Sequence, residues 1–177
     1  MSNETLIPTK EVAFDLLKKL KVPYQVRRHS LAVADKALEI ASKIVKIKVD
    51  TDLIEAGAIL HDIGRAVTHG FEHAVIGGKI LRERGFPNEL SRICETHILG
   101  GLDKFDAKEV GLDFLDYLPQ TIEEKIICLA DKYMAGTREV SIQERFQKWF
   151  SKYGKTKILM KSKKRIEEIQ KEIKELS

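Results

Sequence analysis

Apolar residues recur at three and four along nearly the whole chain, and alternating strand patterns are almost absent, which predicts an all-α protein. Pro8 and Thr9 open a first helix carrying Val12, Leu16, Leu17 and Leu20, which must end before Pro23. A long second helix is expected from Tyr24 to Ile47, with Val26, Val33, Ala37, Ile40, Ile44 and Ile47 on one stripe and His29 in that stripe. Asp50 or Thr51 caps a third, through Leu53, Ile54 and Ile59, whose end delivers His61 and Asp62 before Gly64 stops it. A fourth helix opens near Glu72 and His73 and runs to Gly85; a fifth runs from Pro87 through Leu90, Ile93 and Cys94 to His97.

Leu102 to Pro119 is the least regular stretch, with one short helix capped by Asp106 and Glu109. Thr121-Ile122-Glu123-Glu124 reads as a capping box for a helix from Ile122 to about Ala135 that contains Asp131, and Ser141-Ile142-Gln143-Glu144 repeats the signal. From Thr156 the tail is rich in Lys and Glu, with Ile166, Ile169, Ile173 and Leu176 on one stripe that packs on the body or on a partner chain. These elements predict a single-domain bundle of about seven to eight helices.

Composition narrows the function classes. A chain of 177 residues buries one substantial core, and 43% hydrophobic with 33% charged residues is ordinary for a globular protein. The net charge of +4 comes partly from the Lys-rich tail, so a nucleic-acid surface is not indicated. Two cysteines, Cys94 and Cys128, stand far apart within helical patterns, which excludes a disulfide framework or a Cys-rich zinc site and reads as a reduced core pair. No signal-peptide pattern or membrane-length apolar run occurs, so the expected location is cytoplasmic, with no membrane partner.

The chemistry concentrates in a few residues. His61-Asp62 ends the apolar run Ala56-Gly57-Ala58-Ile59-Leu60, and a carboxylate buried beside an imidazole needs a compensating partner, which a divalent cation supplies. His29 and Asp131 also sit on apolar faces. Taken alone, His29 reads as a satisfied core histidine; with three companions on helices that can converge, it reads as a ligand.

His29, then His61-Asp62-Ile63-Gly64, then Asp131 within Leu129-Ala130-Asp131-Lys132, resembles the HD superfamily of metal-dependent phosphohydrolases over roughly residues 24–138. The resemblance implies a metal held in the bundle core by His29, His61, Asp62 and Asp131. Flanking that 24–138 domain, the helical pattern predicts an N-terminal helix at 1–23 that packs on the core and a Lys/Glu-rich helical extension at 139–177. His73 and His97 resemble the histidines that bind a second metal in the binuclear branch, although Thr96-His97-Ile98 stands where many members have adjacent histidines. The cofactor is thus one or two divalent transition metals, Mn, Fe, Co, Ni or Zn. Arg65 stands where lysine commonly follows the motif, and is the candidate for neutralising phosphate charge.

Lys132 and Arg138 are weaker candidates for that task, with surface roles as the alternative. His69 reads as an exposed loop histidine or a phosphate contact at the rim, and Glu72 as an N-terminal helix charge. The stretch His97 to Arg138 is loosely similar to HD-domain dinucleoside tetraphosphate hydrolases, with Leu99 interposed between His97 and Gly100. The implied function is hydrolysis of a phosphate ester or phosphoanhydride on a small nucleotide-like substrate, with Asp62 as base and Arg65 on the phosphate. Two rivals are a metal- and nucleotide-binding module without turnover and a di-iron oxygenase. The Gly-Tyr-Pro tripeptide of the cyclic dinucleotide branch is missing, since Leu99-Gly100-Gly101-Leu102 follows His97. The C-terminal stripe would carry a homo-oligomer if it faces a partner.

Overall fold

The computed structural model describes residues 6–177; residues 1–5 of the N-terminal segment lie outside them. Nine α-helices occur among the described residues: α1 (Lys10–Lys19), α2 (Tyr24–Ser42), α3 (Thr51–Leu60), α4 (His73–Glu83), α5 (Asn88–Thr96), α6 (Lys104–Glu109), α7 (Ile122–Tyr133), α8 (Ile142–Tyr153) and α9 (Lys157–Leu176). The all-α expectation holds, with one small exception. Met134–Ala135 (β1) and Arg138–Glu139 (β2) pair antiparallel across a tight turn in which Gly136 takes φ +63°.

Helix starts follow local chemistry. Asp50 accepts a bond from Leu53 N at 3.0 Å, Thr121 from Glu124 N at 3.2 Å, Ser141 from Glu144 N at 3.0 Å and Thr156 from Leu159 N at 3.2 Å. The short helix α6 is capped by Asp103, which accepts from Phe105 N and Asp106 N, and not by Asp106 or Glu109. Asp106 is instead buried beneath α9 as an ion-pair partner.

Helix α3 is the centre of the bundle. From Leu53 to Leu60 every residue but Glu55 is buried, and burying side chains the size of Ile54, Ile59 and Leu60 stabilises the fold by about 1.5–3 kcal/mol each. A β-carbon on Gly57 would come within 2.5 Å of Ile93 Cδ1 and 3.0 Å of Ile127 Cδ1, so its absence lets α5 and α7 close on α3. The chain then tightens into a 3₁₀ turn at Ile63–Ala66. A β-carbon on Gly64 would meet His73 O at 1.8 Å, and that close approach sets the His61-Asp62 corner against the start of α4.

Two features sharpen the pattern. Helix α2 stops at Ser42 instead of Ile47; Ile44 stays buried, but Val45 and Ile47 are exposed, and the amides of Val45 and Lys46 donate to Leu176 O. A β-branched Ile-Val pair gives little helical drive there, and the chain gains more by closing over the end of α9. Helix α9 buries Ile166, Ile169 and Ile173 against its own chain and pairs Glu172 with Lys125 at 2.8 Å. Of the two places expected for the C-terminal stripe, the body of the chain is the one observed, so those three isoleucines are not free to carry a homo-oligomer. Among the described residues, no helix is long and apolar enough to cross a membrane.

Candidate metal centre

Five helices and the hairpin bring His29, His61, Asp62, His73, His97 and Asp131 to one point, and all of them but the fully buried His61 line a cleft of about 840 Å3. His29 comes from α2, the His61-Asp62 corner from the end of α3, His73 from the start of α4, His97 from the end of α5 and Asp131 from α7. His29 and Asp131 are part-buried; the other four are buried.

Every one of these imidazoles is oriented from behind by a backbone carbonyl. Nδ1 lies 2.8 Å from Gly136 O in His29, 2.6 Å from Ala58 O in His61, 2.7 Å from Gly70 O in His73 and 2.7 Å from Cys94 O in His97. A carbonyl only accepts, so each Nδ1–H donates, and in the neutral ring each Nε2 carries a lone pair. Three of those carbonyls belong to the turn three residues upstream, so the helix-end geometry itself selects the tautomer. Gly136 O is presented by the hairpin turn, which is the structural use of the β1–β2 pair.

The four Nε2 atoms then face carboxylates and one another. His29 Nε2 lies 2.9 Å from Asp131 Oδ1, His73 Nε2 3.0 Å and His97 Nε2 3.3 Å from Asp62 Oδ1, and His73 Nε2 3.2 Å from His97 Nε2. His61 Nε2 stands 3.5 Å from Asp62 Oδ2 and 3.6 Å from Asp131 Oδ1. Both His61 Nε2 and Asp62 Oδ1 are buried without a hydrogen bond. Lone pairs pointed at lone pairs at these distances repel unless a cation or a proton sits among them. The donor set therefore fits a divalent transition metal, nitrogen and oxygen in type and compact in spacing, with ligand atoms of each three-residue group within 4.8 Å.

Protonation follows the same logic. Burial opposes ionisation of Asp62, but the charge of a protonated His61 and hydrogen bonds from His73 and His97 when a proton sits on Nε2 outweigh it and hold the carboxyl well below its ordinary range. Burial opposes ionisation of Asp131 too, and Lys132, His29 and His61 hold it likewise well below. Burial pushes His97 down to about 4, the neutral, ligating form at pH 7. Burial also disfavours a charged His61, but Asp62 and Asp131 outweigh it and move that ring upward.

Two cations border the cluster. Arg65 Nε lies 3.1 Å from Asp62 Oδ1, and its Nη1 is 3.4 Å from His69 O, which places the guanidinium on the cleft wall. Lys132 is buried instead of exposed: its ammonium donates to His97 O at 2.8 Å and to Asp131 Oδ2. Arg138 is exposed and pairs with Glu144 at 3.0 Å. His69 is an exposed residue on the rim of the cleft, and Glu72 is exposed at the start of α4. Cys94 and Cys128 are buried free thiols.

One further cation has almost no signature in the sequence. Arg145 of α8 lines the cleft, donates to Lys132 O at 3.0 Å and to Met134 O, and so clamps the end of α7 behind Asp131. Its only sequence signal is the four-residue spacing Arg145, Trp149, Tyr153, which puts all three on one face of α8.

The family model described as HD domain matches residues 26–136. An uncharacterized protein of Methanocaldococcus jannaschii is 45% identical over 147 residues, covering 82% of this chain and 86% of that protein. A tRNA (cytidine(56)-2'-O)-methyltransferase of Thermoplasma volcanium is 37% identical over 139 residues, which is 78% of this chain but only 40% of that relative's length. Among solved structures, the HD domain of the L. monocytogenes phosphodiesterase PgpH in complex with cyclic-di-AMP superposes with a TM-score of 0.56 at 24% identity, over 92% of this chain and 95% of that one, a likeness of fold. The dinucleoside tetraphosphate hydrolases have no counterpart among these three. The sequence match and the geometry agree: the chain belongs to the HD domain family of metal-dependent phosphohydrolases.

Proposed function

We propose that the chain hydrolyses a phosphate ester or phosphoanhydride of a nucleotide-like substrate in the cleft above the histidine-carboxylate cluster. The observation that carries this reading is the convergence of four Nδ1-capped imidazoles on two ionised carboxylates, with an arginine fixed beside them at the floor of an open cleft. His29, His61, Asp62 and Asp131 would hold one divalent cation, and His73 and His97 with Asp62 a second. Bound there, the metal supplies Lewis-acid polarisation of a phosphoryl oxygen and lowers the pKa of water to the neutral range.

The protein's own residues do the rest. Arg65, held by Asp62 and by the carbonyl of His69, keeps N–H groups free toward the cleft and neutralises charge on the phosphoryl oxygens as it builds. Asp62, ionised at pH 7, is the group placed to accept a proton from the attacking water. Lys132 keeps Asp131 ionised and ties it to the loop after His97. The PgpH HD domain, whose fold this chain shares, is in complex with cyclic-di-AMP, which supports a nucleotide-like substrate.

The test is phosphate release from mono-, di- and dinucleotides by purified protein supplied with manganese, cobalt or nickel. The expected result is metal-dependent product formation. Full activity in metal-stripped protein overturns the proposal; thermal stabilisation by nucleotides with no product identifies the binding-module alternative.

A further inference from the structure

Helix α8 has two different faces. Ile142 and Phe146 are buried and Phe150 packs against the core, while one position earlier in each turn Arg145, Trp149 and Tyr153 line the cleft. The three cleft-facing residues stand four apart, so they form a row along the helix axis with a step of about 6 Å. Arg145 marks the end of the row nearest the metal centre, through its bonds to Lys132 O and Met134 O. Trp149 therefore stands one step, and Tyr153 two steps, away from the group that anchors α7.

We propose that the Trp149–Tyr153 row is a nucleobase subsite, which places a heterocyclic base on α8 while the phosphate reaches the centre. The proposal rests on the phosphohydrolase reading and adds the part of the substrate that the centre does not touch. Trp149 and Tyr153 line the same cleft as Arg65 and the histidines, so a base on the row and a phosphate beside Arg65 would share one cavity. The indole is held before any ligand arrives: Phe146 meets it edge-on, with centroids 5.2 Å apart at 84°, and the Arg145 guanidinium lies 5.4 Å from its centroid. A fixed aromatic face loses little entropy on binding a flat ring. Val26 and Met134 extend the apolar lining, and the carboxylates in the lining are Asp62 and Asp131 at the centre and Glu109. Helix α8 lies beyond residues 26–136, so this subsite belongs to the part of the chain that the family match does not cover.

Trp149 is the chain's single tryptophan, which makes its emission a direct reporter of the subsite, independent of turnover. The experiment titrates the full chain with adenosine 5′-monophosphate, ribose 5-phosphate and inorganic phosphate, following emission, and repeats the titrations by calorimetry on variants. The expected result is a saturable emission change with the nucleotide and tighter binding of it than of ribose 5-phosphate by roughly tenfold or more, the usual contribution of one base-aromatic stack. Trp149→Ala should remove that advantage and leave phosphate affinity unchanged, while Trp149→Phe should keep most of it. Should Trp149→Ala fail to fold, Tyr153→Ala, at a residue 57% exposed, carries the test, with a smaller loss confined to the nucleotide. Equal affinity for nucleotide and ribose 5-phosphate, or equal weakening of both in the variants, overturns the subsite alone. No binding of any of the three overturns the phosphate reading together with it.

Discussion

Two clusters, each pairing a buried with a part-buried carboxylate, are built from opposite chemistries. Asp103 and Asp106 face Lys161 and Arg165: Lys161 Nζ reaches both acids, 2.7 Å from Asp106 Oδ1, and the Arg165 guanidinium lies 2.8 Å from Asp103 Oδ2 and 3.0 Å from Asp106 Oδ2. Those partners carry permanent positive charge within 3.0 Å of each acid, so the charge of the cluster is balanced within the protein even though Asp106 Oδ2 makes no hydrogen bond. Asp62 and Asp131 also have a cation each, Arg65 and Lys132, yet four imidazole lone pairs converge on the same oxygens. The first arrangement joins α6 to α9; the second has more acceptors than protein donors and calls for a cation from outside. Counting donors, and not acids, separates a structural ion network from a candidate metal site.

The largest effects should come from the acceptor-rich cluster. Asp62→Ala or Asp131→Ala should lose bound metal and hydrolysis together, with activity falling more than roughly a hundredfold, as read by metal analysis alongside phosphate release. Wild-type metal content in Asp62→Ala would show the ligand assignment to be wrong. Arg65→Ala should act differently, keeping the metal while kcat/KM falls about tenfold to a hundredfold, the equivalent of about 1.5–3 kcal/mol for a hydrogen bond to a charged group. Adding metal at about 100 times its Kd to chelated protein should raise Tm by about 5–10 °C, following about 2.7 kcal/mol of linkage; an unchanged melting curve would count against the site.

Much of this contrast is legible in the amino-acid sequence. The all-helical class, the apolar faces that carry His29, His61-Asp62 and Asp131, and the internal burial of the cysteines follow from apolar spacing, because a polar side chain on an apolar stripe has nowhere to go but the core. The meeting of those four at one metal is what the HD resemblance implies. What tertiary context decides is not legible there. Lys132 follows Asp131 directly and on a helix should point elsewhere, but its long side chain folds back to His97 O. Helix α2 ends early because of a contact with Leu176, more than a hundred residues away along the chain. The hairpin at Gly136 is too short to give a strand period, and Arg145 lies on a face whose apolar neighbours disguise it as ordinary amphipathicity.

Arg165→Met tests whether the two clusters communicate. The guanidinium also donates to Gly101 O at 2.9 Å, and a β-carbon on Gly100 would lie 3.2 Å from Arg165 Cβ, so α9 presses directly on the loop that follows His97. Removing the donors leaves Lys161 with two acids and should cost about 2 kcal/mol of stability, a drop in Tm of about 4–8 °C. Through the loop it should also weaken metal binding by about tenfold, the scale of an outer-shell change. Lost stability with unchanged metal affinity would show the clusters to be independent.

The smallest effect is a matter of pH. Burial opposes ionisation of Asp103, but Lys161, the amide of Asp106 and Arg165 together outweigh it and hold the carboxyl below the ordinary value of 3.8. A carboxyl whose folded pKa is depressed binds fewer protons in the folded than in the unfolded state, so it stabilises the fold above the unfolded value. That contribution is lost as pH falls from about 4 through the depressed folded value. In chelated protein the acid limb of Tm against pH should therefore be shallower below about pH 4 in Asp103→Asn than in wild type, with the curves parallel above it. Asp103 also caps α6 through the amides of Phe105 and Asp106, and asparagine keeps the accepting oxygen, so the variant removes the charge and leaves the cap. An acid limb as steep in Asp103→Asn as in wild type would show that the charge of Asp103 adds nothing and leave Asp106 as the acid that matters beneath α9.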